Sequence, residues 1–297
     1  MHSHISIVRR TAVTNSVAHT HVGADYQTVH TRLSTDAKEI IAFLRPLIAA
    51  DPVRLTVLGS VAQVLEEPTA AGWCLAVPGS ADIAVRSSPV TPVVVVGRWA
   101  NPAARAELVI ALRTLPDLAA INGPLPWSAE IALQAVPISH RMDQRLFRLD
   151  TLIPPTGVPG SARRADEEDR PLLLDWYRAF ADEAEARSMD LERSVDRMIA
   201  SGGAWIWVDG EPVSVAVRRA PAEGSARVGP VYTPPEHRGH GYGSAVTAAA
   251  TQDILDDGAI PVLFTDLANP TSNAIYQRLG YRPVGDYVSV AVGPPAR

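Results

Sequence analysis

Apolar positions recur along this chain in two alternating rhythms, helical and extended, and from about residue 35 those rhythms follow the same order twice. In the first pass, Ile40, Ile41, Phe43, Leu44, Leu47 and Ile48 predict a helix over 36–49, and a second helix is expected over 53–65. Strand-like runs follow at 72–77, 81–87 and 92–97, then a helix at 101–115 with Pro102 well placed in its first turn. Short elements at 118–121 and 129–135 precede a strand at 145–152. In the second pass, Leu172, Leu173, Trp176, Tyr177 and Phe180 share one face of a helix at 172–184, and a helix at 191–200 is closed by Gly202. Strands are expected at 204–208, 212–218 and 226–233, a helix at 241–255 stopped by Asp257-Gly258, a strand at 261–266, a helix at 271–279 and a strand at 287–292. Each half reads helix, helix, three strands, helix, strand, helix, strand. The expected class is therefore α/β with a mixed sheet (α+β), duplicated in pattern though not in residue identity.

Between the halves lies TLIPPTGVPGSARRADEED, rich in Pro and Gly, and 297 residues are comfortable for two domains. The expected division is a flexible tail at 1–30, a first domain at 31–144 and a second at 145–297. The tail holds His2, His4, His19, His21 and His30. No carboxylate or cysteine accompanies them at ligand spacing, so a mobile tail is expected and no metal site. The single cysteine, Cys74, lies in an apolar run and reads as a packed core thiol.

Charge narrows the partners. Residues 1–150 carry 13 basic and 12 acidic side chains, and residues 151–297 carry 14 and 20, so neither half offers a basic footprint for nucleic acid. No apolar run approaches the roughly 18 residues of a membrane span, and a cytoplasmic protein without membrane partners is expected.

The informative stretch runs VYTPPEHRGHGYGS from Val231 to Ser244, between an expected strand and an expected helix. Gly239, Gly241 and Gly243 remove side chains where the chain must turn and let backbone N–H groups approach an anion. The helix dipole and Arg238 add positive potential, so the bend reads as a diphosphate cradle. It is not a dinucleotide fingerprint, because Ser244 stands where a third glycine would fall. It is not a Walker loop either, because the second half contains no lysine.

Arg238-x-x-Gly241-x-Gly243 resembles the acyl-CoA loop of the GNAT superfamily. The stretch DLANPTSNAIYQRLGYRPVG, from Asp266 to Gly285, is similar to that family's closing motif. The resemblance covers about residues 145–297 and implies a GNAT acyltransferase fold, tandem if the first half repeats it. It also implies acetyl-CoA as co-substrate and a small-molecule or peptide amine as acceptor. Carried over residue by residue, Val231, Tyr232 and Thr233 would bond the pantetheine arm, with an N–H, assigned to Tyr232, polarising the thioester carbonyl. Arg238, Gly239, His240, Gly241, Tyr242, Gly243 and Ser244 would hold the diphosphate, and Asn269 and Asn273 would meet the amide arm. Tyr276 would stand near the sulfur and protonate the departing thiolate. Asp266, or an acid among Asp182, Glu183 and Glu185, would take the amine's proton. No metal is required. The first half lacks both motifs, reading Gly97-Arg-Trp-Ala-Asn-Pro-Ala-Ala where the loop would fall, so a degenerate GNAT-like domain is expected there. A non-catalytic acyl-CoA sensor, or a protein binding another phosphorylated ligand, stays open as an alternative.

Overall fold

The computed structural model describes residues 31–183 and 191–293. The tail expected at 1–30 lies outside the described residues. The first half contains β1 (Arg32–Ser34), α1 (Ala37–Ala50), α2 (Thr56–Leu65), β2 (Trp73–Ala76), β3 (Ile83–Arg86) and β4 (Val93–Val96). It continues with α3 (Pro102–Thr114), β5 (Ala120–Pro124), α4 (Trp127–Ala135) and β6 (Ile138–Leu149). The second contains β7 (Ser161–Arg164), α5 (Arg170–Glu183), α6 (Leu191–Ala200), β8 (Ala204–Asp209), β9 (Glu211–Arg218) and β10 (Ser225–Tyr232). It ends with α7 (Tyr242–Asp256), β11 (Ile260–Asp266), α8 (Pro270–Arg278) and β12 (Tyr281–Val292). The duplicated order anticipated from apolar spacing is thus present, with a short edge strand added at the front of each half.

All twelve strands join one sheet in the order β1-β2-β3-β4-β5-β12-β6-β11-β10-β9-β8-β7. The last strand of each half has crossed to the other. β12 pairs antiparallel with β5, β6 pairs antiparallel with β11, and β6 and β12 pair with each other at the centre. The 144/145 division falls inside β6. Arg145 on β6 donates two hydrogen bonds to Asp286 on β12, at 2.7 and 3.0 Å, fixing the register across the centre.

Alternation along the strands assigns the helices to two faces. Val93 and Val95 of β4, Val288 and Val290 of β12, and Phe147 and Leu149 of β6 face α3, α4, α7 and α8. Val94 and Val96 face α1 and α2, and Val215 and Val217 face α5 and α6. Helix α2 and the turn before it reach across the junction: Gln63 donates to the Pro221 carbonyl at 2.8 Å, and the Ser225 hydroxyl donates to the Pro52 carbonyl at 2.8 Å.

Several boundaries differ from the sequence expectation, for identifiable reasons. β6 begins at Ile138 and ends at Leu149, where a strand at 145–152 was expected, because its first eight residues are half-exposed and mostly polar. β12 begins six residues before the expected 287. A register break between Pro283 and Gly285 spoils the alternation there. The Pro/Gly-rich stretch contains the polar edge strand β7, which gives no apolar signal.

Helix α7 is anchored by a charged cluster under β8 and β9. Asp253 accepts from Arg218 at 2.8 Å, from Arg164 at 2.6 Å and from the Trp205 indole at 3.1 Å. Its side chain and that of Arg218 are only 11% and 12% exposed. Removing the carboxylate takes one of two acidic partners from the nearly buried Arg218, which also pairs with Asp257, and leaves Arg164 and the Trp205 indole without their acceptor. Asp253→Ala is therefore expected to lower stability by about 3 kcal/mol, read from the denaturant midpoint. The strand exchange yields a second test. Chains covering 1–152 and 153–297, made separately, each lack a neighbour for an inner sheet edge and should be unfolded or aggregated. Made together, they should elute as one folded complex.

Candidate active site

Strands β10 and β11 run parallel and stay paired from Ser225↔Ile260 to Val228↔Leu263, then separate. Three features of β10 enforce the separation. Its register against β9 breaks between Val228 and Val231, Gly229 has φ 137°, and Pro230 has no N–H to offer a ladder. The last residues of β10 therefore present their main chain to an open wedge. The wedge wall is braced from behind, where the buried Ser214 hydroxyl bonds the Tyr232 carbonyl at 3.0 Å and lies 2.8 Å from the Thr233 hydroxyl.

The chain then turns through a short 3-10 segment, Pro235–His237, into the glycine bend. Gly239 and Gly241 have φ of 84° and 85°, which a side-chain-bearing residue adopts only under strain. Gly241 is the N-cap of α7 and supplies no side-chain cap. A β-carbon at Gly239 would meet only open space, whereas one at Gly241 would lie 3.0 Å from Val158 and one at Gly243 would lie 3.2 Å from the Thr233 hydroxyl. Among the described residues, no protein group accepts from the amides at the start of α7. They form an open donor array at the positive end of a 15-residue helix.

The side chains around the bend are largely engaged in building it. His240 stacks on Tyr242, with ring centroids 5.4 Å apart, and the Tyr242 hydroxyl donates to Asp209. These two residues can meet a ligand through their backbone. Arg238 turns to α5, where it donates to both carboxylate oxygens of Glu183 at 2.7 and 2.8 Å. Its Nε donates to the Thr233 carbonyl at 2.9 Å, and its guanidinium lies over the Tyr232 ring at 5.9 Å. The Tyr232 side chain is buried beside Trp176, and its phenol is raised above the usual range by burial and by the nearby Glu183 charge.

Helix α8 brings Tyr276 to the same sheet face as α7, edge-on to Tyr281 at 6.3 Å. The Tyr281 hydroxyl lies 2.7 Å from that of Thr251 on α7. Desolvation pushes the Tyr276 phenol up to about 12, so it is a neutral donor throughout the physiological range. Asn269 and Asn273 shape the turn between β11 and α8. Asn269 caps the helix by accepting from the Ser272 N–H at 3.0 Å, and the Asn273 amide donates to the carbonyls of Asp266 at 2.9 Å and Asn269 at 2.7 Å.

Asp266, at the end of β11, accepts from the Ala268 N–H at 2.8 Å and lines an open cleft of about 510 Å³. His140, Met142, Asp143 and Glu183 line it as well. Of these, only Glu183 was named from the sequence. The β6 residues could not have been, because only the strand exchange carries the first half's last strand into the second half's cleft.

The first half has the same scaffold with its equivalent bend closed. Asn101 caps α3 by accepting from the N–H groups of Ala103 and Ala104 at 3.0 and 3.1 Å. Asp82 accepts from those of Arg98 and Trp99 at 2.8 and 3.0 Å. The Trp99 side chain fills the core, and Ser128 bridges β4 through the Val95 carbonyl at 2.9 Å. The buried Cys74 thiol is raised to about 12 by burial, well away from thiolate reactivity. No described helix is long and apolar enough to cross a membrane.

Residues 209–290, which contain the glycine bend and the 266–285 segment, match the family model described as FR47-like protein. Over 208 residues the chain is 29% identical to a mycothiol acetyltransferase of Salinispora tropica, covering 59% of this chain. The matched region spans 65% of that relative's length. Among solved structures, a GNAT-family acetyltransferase from Colwellia psychrerythraea superposes with TM-score 0.60 at 10% identity, over 89% of this chain and 100% of that one. A GCN5-related N-acetyltransferase from Sphaerobacter thermophilus gives 0.59 at 15%, over 90% and 97%. A tandem GNAT protein from the clavulanic acid biosynthesis pathway gives 0.55 at 15%, over 90% and 100%. The resemblance read from the two motifs therefore holds at the level of fold, which is that of GNAT acetyltransferases.

The buried phenols lead to a pH prediction. Tyr177, Tyr276, Tyr281 and Tyr287 are all raised by burial above the ordinary value of 10.0. A raised folded value means that the neutral form is favoured by folding. The contribution is complete below pH 10 and disappears as pH climbs through the folded values. The denaturant midpoint should fall steeply only above about pH 10, and an earlier fall with tyrosinate absorbance would contradict this burial.

Proposed function

We propose that this chain, with the GNAT fold as premise, is an N-acyltransferase that moves an acetyl group from acetyl-CoA to a primary amine of a small molecule or peptide. The observation that carries the reading is the open amide array at the glycine-spaced start of α7, set beside the wedge between β10 and β11. The same place in the first half is closed by Asn101 and Asp82. A diphosphate fits the open bend, because it needs close N–H donors and no intervening side chain. The curated acetyltransferase relative and the family match over the bend support the same reading.

The amides of Gly239 to Ser244 would hold the diphosphate, with Arg238 as an adjacent cation once it parts from Glu183. The main chain of Val231 to Thr233 would hold the pantetheine arm in the wedge, with an N–H of that segment polarising the carbonyl. Bound acetyl-CoA supplies an already activated carbonyl. This chain then has to align a neutral amine against it, stabilise one oxyanion and manage two protons. Tyr276, kept neutral by its surroundings, carries the proton for the departing sulfur. Asp266, in a cleft where Asp143 is engaged by Arg141 and Glu183 by Arg238, is the acid placed to take the amine's proton through water. The amine attacks directly in a ternary complex, and Cys74 takes no part. The division into a tail at 1–30, a degenerate domain at 31–144 and a catalytic domain at 145–297 belongs to this proposal, with β6 shared across the last boundary.

Tyr276→Phe is expected to reduce kcat by about a hundredfold or more while leaving acetyl-CoA affinity nearly unchanged, measured by free-thiol release and calorimetry. Unaltered turnover would remove its assigned role. Turnover absent in the parent with every amine, alongside retained acetyl-CoA binding, would favour an acyl-CoA sensor. Gly241→Val should do the reverse, weakening acetyl-CoA about tenfold or more through strain at φ 85° and crowding against Val158.

A further inference from the structure

On the sheet face opposite α7, a cavity of about 190 Å³ lies between α2 and the central strands. Leu58 of α2, Val94 and Val96 of β4 and Phe264 of β11 supply apolar wall, and Gln144 of β6 lines it as well. Strand register relates this cavity to the cleft that holds Asp266. Gln144 stands directly opposite Asp266 in the β6–β11 ladder and opposite Tyr287, another cavity residue, in the β6–β12 ladder. Residues directly opposite in an antiparallel pair project to the same face, with β-carbons about 5 Å apart. Gln144, which lines the cavity, and Asp266, which lines the cleft, are therefore neighbours on one face.

The same relation recurs along each strand. Phe264 and Asp266 are two residues apart on β11 and so share a face, the first in the cavity and the second in the cleft. Met142, in the cleft, and Gln144 are likewise two apart on β6, and the Gln144 amide lies 3.6 Å from the Met142 sulfur. Cleft and cavity thus adjoin at Gln144, a half-buried side chain.

Their chemistry differs. Asp266 comes three residues after Leu263, the last residue of β11 paired with β10, and so lies where the wedge opens. The cavity is mostly apolar; Arg54 and Arg227 line it and no acidic residue does. An apolar cavity of about 150 Å³ accepts a benzene ring, so this one has room for a phenyl or branched aliphatic group. A second ammonium would enter without a counter-charge. Phe264 and Asp266 are about 6.6 Å apart along the strand, a length that a two-carbon spacer and a ring cover.

We propose that this cavity is the tail pocket of the acceptor site, and that the acceptor is a primary monoamine with an uncharged, phenyl-sized or branched aliphatic tail. The nitrogen lies at Asp266, and the tail passes Gln144 to pack against Leu58, Val94 and Phe264. This rests on the transferase reading and narrows its substrate class. Leu58 and Val94 belong to the first half, so the half whose bend is closed selects the acceptor.

The test is acetyl transfer from acetyl-CoA by the full chain, read as free thiol, to ethylamine, isoamylamine, phenethylamine and the diamine cadaverine. Calorimetry of ethylamine and phenethylamine without acyl donor accompanies it. From ethylamine to isoamylamine, kcat/KM should rise about fourfold for each methylene buried, with phenethylamine highest. Cadaverine should fall about tenfold or more below isoamylamine. Val94→Phe fills the cavity and should bring kcat/KM for phenethylamine down toward that for ethylamine. Gln144→Trp, at a half-buried position, closes the neck and should do the same, so it decides the matter if Val94→Phe does not fold. One common kcat/KM for all four amines, or a phenethylamine preference that survives in both variants, overturns the tail pocket and leaves the transferase reading standing. A preference for cadaverine overturns the uncharged tail. No thiol release with any amine overturns the transferase reading, and calorimetry then decides the pocket. Tighter binding of phenethylamine than of ethylamine, lost in both variants, keeps it as an amine site, and equal or absent binding overturns it.

Discussion

The antiparallel pairing of β6 with β12 is the constraint on which the rest of the molecule depends. It runs from Tyr281↔Leu149 to Val292↔Ile138 and is pinned by the Arg145–Asp286 fork. Through it each half closes the inner edge of the other, so among the described residues a bare strand edge is left only at the short outer strands β1 and β7. The same pairing delivers Met142 and Asp143 to the cleft at the end of β11, where Asp266 sits. The cleft at the end of β11 is thus walled partly by the other half.

With the scaffold shared, the difference between the halves is one of hydrogen-bond accounting. Both place a helix after the fourth core strand, and both therefore create donors that need partners. In the first half Asn101 and Asp82 satisfy them and Trp99 fills the space. In the second, glycines stand where those side chains would be, and the donors remain available to a ligand. The first half lacks no element of this scaffold; its equivalent bend is capped and packed.

Much of this was legible in the sequence, because helical spacing in runs such as Leu172 to Phe180 and the glycine spacing at 239, 241 and 243 are local signals. The repeated order of elements followed from the same local patterns, as did the expectation that 97–104 makes no phosphate loop. What the sequence hid was of two kinds. Polar or irregular strand segments, such as the start of β6 and the Pro283–Gly285 part of β12, give no alternation to read. Partnerships over long separations gave no trace at all, among them the exchange of final strands and the turn of Arg238 toward Glu183. Asn269 and Asn273, read for a ligand, are held by the turn they build, a local use that a motif does not distinguish from a binding one.

The crossing of the last strands also has a consequence for synthesis. As the chain leaves the ribosome, β1 to β6 emerge with β5 lacking its inner neighbour, and that neighbour, Tyr281–Val292, follows more than 150 residues later. Domains ordinarily fold as units during translation, amino-terminal portion first. Here the first half must wait with a hydrophobic edge open, so vulnerability to association with other nascent chains is greatest in that interval and ends only when β12 is laid in.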